Sequence, residues 1–274
     1  MSAITSPIDA VAQLLELKKL PDHSATFLLS AAACQAIFIL AHRLSQYSQH
    51  YTCLSPIKKI DWRIHVVSSF HAALIVILAY PLLSNEALVK DKIGGYDAYA
   101  GEVYAVACGY FLWDSVVCLM NIKQFGVGFA LHGVSCLGVF LLSFRPFLMY
   151  YGAAFLMFEL STPFLNIHWF CDKTGRTGST LQKVNGAVLI VTFFVARIVF
   201  GFLNSYDFIL TCLARIDEIP SHYVYFYGAA NILLNALNVF WFSQMIKSIA
   251  RRFSPAATEK NGRSSGKRDT AKRN

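Results

Sequence analysis

Three ionisable side chains lie inside apolar segments of the chain and are the first candidates for chemistry. Asp114, His132 and Glu159 stand between Tyr110 and Trp169, in stretches that are apolar enough to span a bilayer. A charged side chain at the centre of a membrane costs about 2.5–3.5 kcal/mol on insertion scales, so such residues usually face one another, a cavity or a ligand. This segment is therefore the default candidate for a functional site.

Asp114 and His132 could work together in two different ways. They are predicted at similar depth on two consecutive spans that are joined by a short turn. A carboxylate that holds one imidazole nitrogen leaves the other nitrogen free to accept a proton, as a general base requires. The same hydrogen bond could do no more than fasten the two helices together. The sequence leaves both interpretations open.

A polar stripe follows on the next span. Glu159, Thr162 and Asn166 recur at helical spacing, three and then four residues apart. Pro163 lacks a backbone N–H and leaves the carbonyl of Glu159 unpaired, which predicts a kink in this span. A kinked helix with a polar stripe fits the wall of a cavity better than a surface that faces lipid.

Further polar residues are predicted to face the same interior. Arg197 lies well inside a later apolar segment and needs a carboxylate or carbonyl partner, for which Glu159 and Asp114 are the available acids. His71 lies one to three turns inside its span. Tyr110 precedes Asp114 by one turn on the same helix face and is close enough to hydrogen-bond with it.

Other polar residues favour a structural role. Asn231, Asn235 and Asn238 share one helix face, and we expect them to form hydrogen bonds between helices. Most of the seven cysteines fall within apolar segments, and none forms a C-x-x-C pair, so they are typical of small core residues. Neither a disulfide framework, a metal site nor a cofactor is indicated.

Composition decides which elements must position these residues. The chain is 55% hydrophobic and only 15% charged, with a mean hydropathy of +0.47, whereas soluble domains contain about 25% charged residues. A helix needs about 20 apolar residues to cross a bilayer. The sequence therefore predicts an all-α, polytopic membrane helix bundle of about seven transmembrane helices, at 25–43, 63–83, 99–120, 125–143, 147–170, 184–205 and 222–246.

The orientation follows from the distribution of positive charge. Most lysines and arginines follow the first, third, fifth and seventh predicted spans, and many of them lie in the tail 251–274. The positive-inside rule then predicts a lumenal N-terminus and a cytosolic C-terminus. We predict that the tail is disordered and contacts anionic lipid headgroups, and we expect no nucleic-acid partner.

Four segments carry a resemblance to a known family. They are DWRIHVVSSFHA at 61–72, GYFLWD at 109–114, the Leu-His-Gly around His132, and ELSTPFLN at 159–166. Together they resemble the TLC domain family, which includes the ceramide synthases and the TRAM translocation protein, and are closest to small TLC domain-containing proteins of the type 4 kind. The resemblance covers about residues 56–250 and implies a multi-pass protein of the endoplasmic reticulum membrane that acts in lipid homeostasis.

The remaining parts of the chain divide around that domain. Residues 1–24 are a polar N-terminal segment without the features of a cleaved signal peptide. Residues 25–55 hold the first transmembrane helix and a basic loop, 56–250 a TLC-like six-helix membrane domain, and 251–274 the basic tail.

One departure from the family pattern separates two functional hypotheses. Ceramide synthases carry two adjacent histidines that act in acyl transfer from acyl-CoA, and here His132 is followed by Gly133. The favoured hypothesis is a protein that binds or senses a lipid in a polar-lined intramembrane cavity without catalysing a reaction. The alternative is an acyl-CoA-dependent lipid acyltransferase with a reduced site, in which His132 is the base and Asp114 orients it.

Both hypotheses place a membrane lipid, and the second also acyl-CoA, at the same group of residues. Homo-oligomeric and hetero-oligomeric assembly both remain open. The predicted lipid-binding residues are His71, Tyr110, Asp114, His132, Glu159, Thr162, Asn166 and Arg197.

Overall fold

A computed structural model of the protein describes residues 7–253, and in this range the chain is helical with no strand. The helices are numbered in chain order. They are α1 (Pro7–Leu14), α2 (Leu20–Ser45), α3 (Gln49–Thr52), α4 (Pro56–Ala79), α5 (Glu86–Lys90), α6 (Ala98–Met120), α7 (Ile122–Phe125), α8 (Val127–Leu142), α9 (Met149–Leu156), α10 (Thr162–Lys173), α11 (Thr180–Phe193), α12 (Phe200–Ala214) and α13 (Ser221–Phe253). All but the first three residues of the predicted tail 251–274 lie outside the described range; residues 251–253 end α13.

The bundle is built around α6, which packs between α2 and α8. Small side chains allow this close approach, and Ala100, Ala105, Ala107 and Cys108 are fully buried. At Gly109, a Cβ atom would come within 2.6 Å of the Phe27 carbonyl oxygen on α2. Small residues at such contacts are the usual device by which membrane helices pack closely.

Five helices in the described range are long and apolar enough to cross a membrane, which confirms the polytopic helical class. They span Leu20–Ser45, Pro56–Ser84, Ala98–Met120, Thr180–Ala214 and Ser221–Ile249. Many large apolar side chains on these helices remain exposed, as expected where helices face lipid. The number of seven spans and the sides of the termini remain predictions.

The two other predicted spans differ from the simple helices expected at 125–143 and 147–170. The first corresponds to α8, which has only 16 residues. The second is divided into α9 and α10 by a 3-10 turn at Met157–Ser161. Thr162 and then Pro163 follow this turn, and the Thr162 N–H donates to the Glu159 carbonyl, which the sequence had predicted to be unpaired. The regular helix is thus interrupted where the sequence predicted a kink, next to a proline that cannot donate a backbone hydrogen bond.

Candidate functional site

A cavity lies between α6, α8, α9 with the 3-10 turn that follows it, the segment around Arg197, α12 and α13. Counted with its open mouth, it contains about 930 Å³ of space between the surrounding atoms. Aromatic and aliphatic side chains form most of its wall, among them Phe111, Phe140, Phe155, Phe208 and Leu234. Its polar wall residues include His132, Ser143, Glu159, Arg197, Asn231, Asn235 and Asn238. An apolar pocket with a few convergent polar groups is the usual form of a small-molecule site.

The antiparallel helices α8 and α13 give the cavity its length. At one end the Tyr227 hydroxyl donates to the carbonyl of Val139, 3.3 Å away. At the other end the rings of His132 and Trp241 meet edge to face, with centroids 5.3 Å apart. The wall residues of α13 extend from Tyr227 to Asn238, eleven residue steps, which is about 16 Å along a helix axis. The cavity is therefore elongated along the bundle.

A buried arginine organises the end of the cavity near His132. The Nε–H of Arg197 donates to the Phe158 carbonyl at 3.0 Å and to the Ser161 hydroxyl at 3.1 Å. Its Nη1 donates to Asn238 Oδ1 at 3.3 Å, and its Nη2 donates to Thr162 Oγ1 at 3.2 Å. Nη2 also lies 3.7 Å from Glu159 Oε1. Arg197 has thus found both kinds of partner that the sequence predicted, a carbonyl and a carboxylate.

We call this set the Arg197 cluster: Phe158, Glu159, Ser161, Thr162, Arg197 and Asn238. Two local irregularities of the backbone position it. The 3-10 turn Met157–Ser161 turns the Phe158 carbonyl toward the guanidinium, and Arg197 itself lies in a π-helical segment, Phe194–Val199. Single π-helical turns within α-helices occur frequently at functional sites. The cluster therefore depends on departures from regular helix in both of its segments.

Two asparagines of the cavity wall keep polar atoms without a partner. Asn238 is 2% exposed, and its Nδ2 has no hydrogen-bond partner within residues 7–253. The buried Oδ1 of Asn235 is likewise unpaired in the same range. A buried polar group without a partner costs about 1–3 kcal/mol, and such groups are rare in native structures. Both residues belong to the cavity wall, but the two unpaired atoms are themselves buried.

His132 lines the cavity but does not form the predicted pair with Asp114. No hydrogen bond or ion pair joins the two side chains, both of which belong to the described range. His132 instead contacts the Sγ of Cys136 at 3.8 Å, and Asp114 accepts a weak bond from the Sγ of Cys118 at 3.8 Å. The structure thus gives His132 no carboxylate to orient it.

Gly133 explains part of this arrangement. A Cβ at this position would stand 3.0 Å from Asp114 Oδ2 and 3.0 Å from Ser115 Oγ. The absence of a side chain lets α8 approach α6, and the Asp114 carboxylate lies against the backbone of Gly133. A side chain at this position would therefore press against Asp114 and Ser115 on α6.

Asn166 belongs to a different polar group, on the side of α10 that faces α4. Its Oδ1 accepts from His65 Nδ1 at 2.7 Å, and its Nδ2 donates to the hydroxyls of Ser69 at 2.9 Å and Ser68 at 3.3 Å. We call these four residues the Asn166 cluster. Both ends of the amide are paired, and Asn166 is not among the residues that line the cavity. The polar stripe of the sequence is thus divided between two faces.

The remaining predicted residues do not line the cavity either. Thr162 holds Arg197 from behind the wall. His71 and Tyr110 stack on each other, with ring centroids 3.7 Å apart. Of the eight residues predicted to contact lipid, His132, Glu159 and Arg197 lie in the cavity wall.

The sequence alone did not predict that residues of α13 line the cavity. Its three asparagines do form hydrogen bonds across helices, as expected: Asn231 and Asn235 donate to the hydroxyl of Ser205, and Asn238 accepts from Arg197. They also line the cavity. Their spacing predicted that they share a helix face. Which of their polar atoms keep no partner depends on which ends of the amides are already hydrogen-bonded.

Known proteins resemble the chain over most of its length. Residues 61–247 match the family model of the TLC domain. An uncharacterised TLC domain-containing protein of Schizosaccharomyces pombe is 45% identical over 237 residues, which are 86% of this chain and 82% of that protein.

Two further relatives are more distant. Topoisomerase I damage affected protein 4 of Saccharomyces cerevisiae is 34% identical over 220 residues, 78% of each chain. TLC domain-containing protein 4 of Homo sapiens is 28% identical over 233 residues, 82% of this chain and 88% of that protein. No solved structure matches the chain.

Proposed function

The chain belongs to the TLC domain family, and from this premise we propose that it is an integral protein of the endoplasmic reticulum membrane that binds or senses a lipid and acts in lipid homeostasis. The observation that carries the proposal is the cavity, which joins an aromatic wall to the Arg197 cluster inside the bundle. An apolar wall suits an acyl chain, and convergent polar groups suit a head.

The proposal includes a topology of seven crossings. The helices α8 and α9–α10 add two crossings to the five long helices, with the N-terminus in the lumen and the C-terminus in the cytosol. The excess of lysine and arginine after every second span supports this orientation. A glycosylation acceptor inserted near Gly95 is then modified, whereas one inserted in the tail is not. The reverse pattern contradicts the orientation.

Acyl transfer remains the alternative prediction. His132 lies in the cavity wall, but it has neither a second histidine nor a carboxylate partner in the described residues. In many sites of nucleophilic catalysis a third group orients the base, and His132 has none of this kind among the described residues. The binding hypothesis therefore accounts for more of the observed contacts.

One experiment separates the two hypotheses. The full chain is purified from its native membrane, and the lipids that accompany it are identified by mass spectrometry, with and without added acyl-CoA. If the protein binds lipid without catalysis, His132→Ala retains the bound lipid about as well as the native protein. If it is an acyltransferase, acyl-CoA yields a new acyl-lipid that His132→Ala does not form. If no lipid accompanies the protein and no product forms, both hypotheses are contradicted.

A further inference from the structure

One end of the cavity is covered by a short turn that is fastened from outside. The turn Asp91–Gly95 lies between α5 and α6, and its middle residue, Ile93, is buried. Resting on the binding function proposed above, we propose that this turn is a lid, which opens to exchange lipid at that end of the cavity. The ion pair between Lys92 and Asp207 is the latch of the lid.

The buried side chain of the turn packs where the cavity ends. Ile93 belongs to one cluster of buried side chains together with Leu148, Tyr151, Phe208 and Tyr227. These four residues also line the cavity, and all of them are buried. The turn is therefore part of what separates this end of the cavity from its surroundings.

The hydrogen bonds within the turn allow it to move as one unit. The Gly95 N–H donates to the Asp91 carbonyl at 2.9 Å, and Asp91 Oδ1 accepts from the N–H groups of Ile93 at 3.2 Å and Gly94 at 3.1 Å. These bonds join residues of the turn to one another, so a displacement of the whole turn leaves them intact. The two adjacent glycines supply the backbone freedom that a hinge needs.

The side chains that fasten the turn to the bundle are partly exposed. Lys92 Nζ donates to Asp207 Oδ2 at 2.7 Å, and Arg215 Nη1 donates to Asp91 Oδ1 at 2.9 Å. Each of these four side chains keeps between 29% and 44% of its surface exposed. Exposed ion pairs contribute little to stability. The turn is thus held against α12 and its end by two contacts that can break while the bundle stays folded.

The same contacts reach the wall of the cavity. The Tyr151 hydroxyl donates at 2.8 Å to the Oδ2 atom of Asp207 that also binds Lys92. The Ile93 carbonyl accepts from the N–H of Leu148 at 2.7 Å, and Leu148 has a left-handed backbone with a φ of 56°. This conformation is unfavourable for leucine. Opening of the turn would therefore free two wall residues and allow the backbone of one of them to relax.

Hydrogen–deuterium exchange of the full chain in detergent measures the motion without a ligand. Peptides that contain the turn and Leu148 report opening, because local opening exposes their amides. Lys92→Glu sets a carboxylate against Asp207 and should raise exchange in both peptides by about two- to fivefold, the value of one lost surface ion pair. The double variant Lys92→Glu with Asp207→Lys restores the pair and should return both peptides to the native rate.

Lys19→Glu is the matched control for the charge reversal. Lys19 also has one carboxylate partner, Asp22 at 3.5 Å, and its Nζ lies 4.9 Å from the centre of the Tyr96 ring, as Lys92 Nζ lies 4.9 Å from that of Tyr150. It stands directly before α2, outside the turn. Its reversal should leave exchange in both peptides unchanged.

The replacement of bound lipid tests what the lid does. The chain is loaded with deuterated monooleoylglycerol and mixed with the unlabelled lipid, and native mass spectrometry follows the replacement. We expect Lys92→Glu to speed replacement by the same factor as amide exchange, and we expect the double variant and Lys19→Glu to match the native protein. If the chain holds only a lipid that purifies with it, the loss of that lipid on dilution is followed instead, with the same expected order.

The outcomes distinguish the lid from the function on which it rests. Unchanged amide exchange in Lys92→Glu, or a rise that the double variant does not reverse, overturns the latch and leaves the binding function standing. Faster amide exchange with unchanged lipid replacement overturns the lid, since the turn then opens without controlling access. If no lipid purifies with the native protein and monooleoylglycerol does not bind, the proposed function itself fails, and the lid fails with it.

Discussion

The Asn166 cluster and the Arg197 cluster arise from the same short stretch of sequence but end in opposite states. Asn166 closes a set of hydrogen bonds between α10 and α4 in which both ends of its amide are paired. The Arg197 cluster lies at the cavity wall. One of its members, Asn238, has an NH2 group with no hydrogen-bond partner in residues 7–253. Within the described residues, the first cluster leaves neither end of the Asn166 amide unpaired, whereas the second leaves the NH2 group of Asn238 unpaired.

This difference shows that residue type alone does not separate a structural polar group from a binding one. Asn166 and Asn238 are both buried asparagines within apolar bundles, with 1% and 2% of their surface exposed. What distinguishes them is the number of polar atoms left over after each cluster has formed. Substitutions in the closed cluster should therefore change stability without changing the bound lipid.

The largest effect is expected at the centre of the Arg197 cluster. Arg197→Met removes the cation and leaves Glu159 as a buried carboxylate without a counter-charge. Breaking one partner of a buried ion pair typically costs about 3–5 kcal/mol. We expect a loss of unfolding free energy of this size, measured as chemical or thermal unfolding of the purified protein in detergent.

The double variant Glu159→Gln with Arg197→Met is the control for this prediction. Removing both charges takes away the unpaired carboxylate, and replacing a whole buried pair often costs little. The double variant should therefore be more stable than Arg197→Met alone. If the unfolding free energy of Arg197→Met lies within about 1 kcal/mol of the native value, the ion pair with Arg197 contributes little to the stability of the buried Glu159 carboxylate.

Much of the fold could be predicted from composition and periodicity. The five long helices follow from apolar segments that no soluble fold would bury, and the break before Pro163 follows from the missing N–H. The ends of the helices could not be predicted as well, since α2 begins at Leu20, ahead of the apolar segment at 25–43. The residues ahead of the apolar segment thus extend the helix beyond the part that is apolar enough to cross a membrane.

The second largest effect is expected where the bundle is tightly packed. Gly133→His must place an imidazole where even a Cβ would lie 3.0 Å from two side chains of α6. Overpacking of this kind typically costs about 1–3 kcal/mol, and we expect the upper part of the range. Unfolding midpoints in detergent measure it.

Gly128→His on the same helix provides the matched control. The nearest heavy atom to a Cβ there is 3.8 Å away, at Leu237, so the substitution should change stability little. The Gly133→His variant, which has two adjacent histidines, should also show no acyl transfer from acyl-CoA. A stable Gly133→His variant that forms a new acyl-lipid would contradict both parts of the prediction.

A smaller effect is expected in the closed cluster. Asn166→Leu removes the hydrogen bonds to His65, Ser68 and Ser69 and leaves the ring of His65 without its nearest partner. An unpaired buried group of this kind costs about 2 kcal/mol. The unfolding free energy should fall by this amount, while the lipids found by mass spectrometry remain those of the native protein. A changed lipid content would mean that the two clusters are not independent.

The site was less predictable than the fold for a physical reason. The stripe Glu159, Thr162 and Asn166 assumes one continuous helix, and the 3-10 turn at Met157–Ser161 rotates its two ends apart. The expected pair of Asp114 and His132 depends on side-chain direction, which the close approach at Gly133 alters. Spacing along a helix predicts which residues share a face. Which of their polar atoms find a hydrogen-bond partner depends on contacts between helices.

The smallest effect is expected at an arginine that is exposed to water. Arg215 donates to Asp91 at 2.9 Å and to Glu218 at 2.9 Å, outside the long helices. The pKa of Asp91 is lowered, first by the backbone N–H of Gly94 and then by Arg215. A lowered pKa in the folded state adds stability above the unfolded pKa of about 3.9, and this gain is lost as the pH falls through the folded value.

Asp91→Asn should therefore lower the stability by a small, constant amount above about pH 5, and the difference from the native protein should shrink below about pH 4 and vanish once the pH is below the lowered pKa of Asp91 in the folded state. Acid titration of the unfolding midpoint measures it. The effect is small because both groups are exposed to solvent, whereas Glu159 and Arg197 are buried. A difference that does not shrink as the pH falls from 5 through the acid range would mean that Asp91 acts through its shape and not its charge. The contrast between the two arginines would then rest on Arg197 alone.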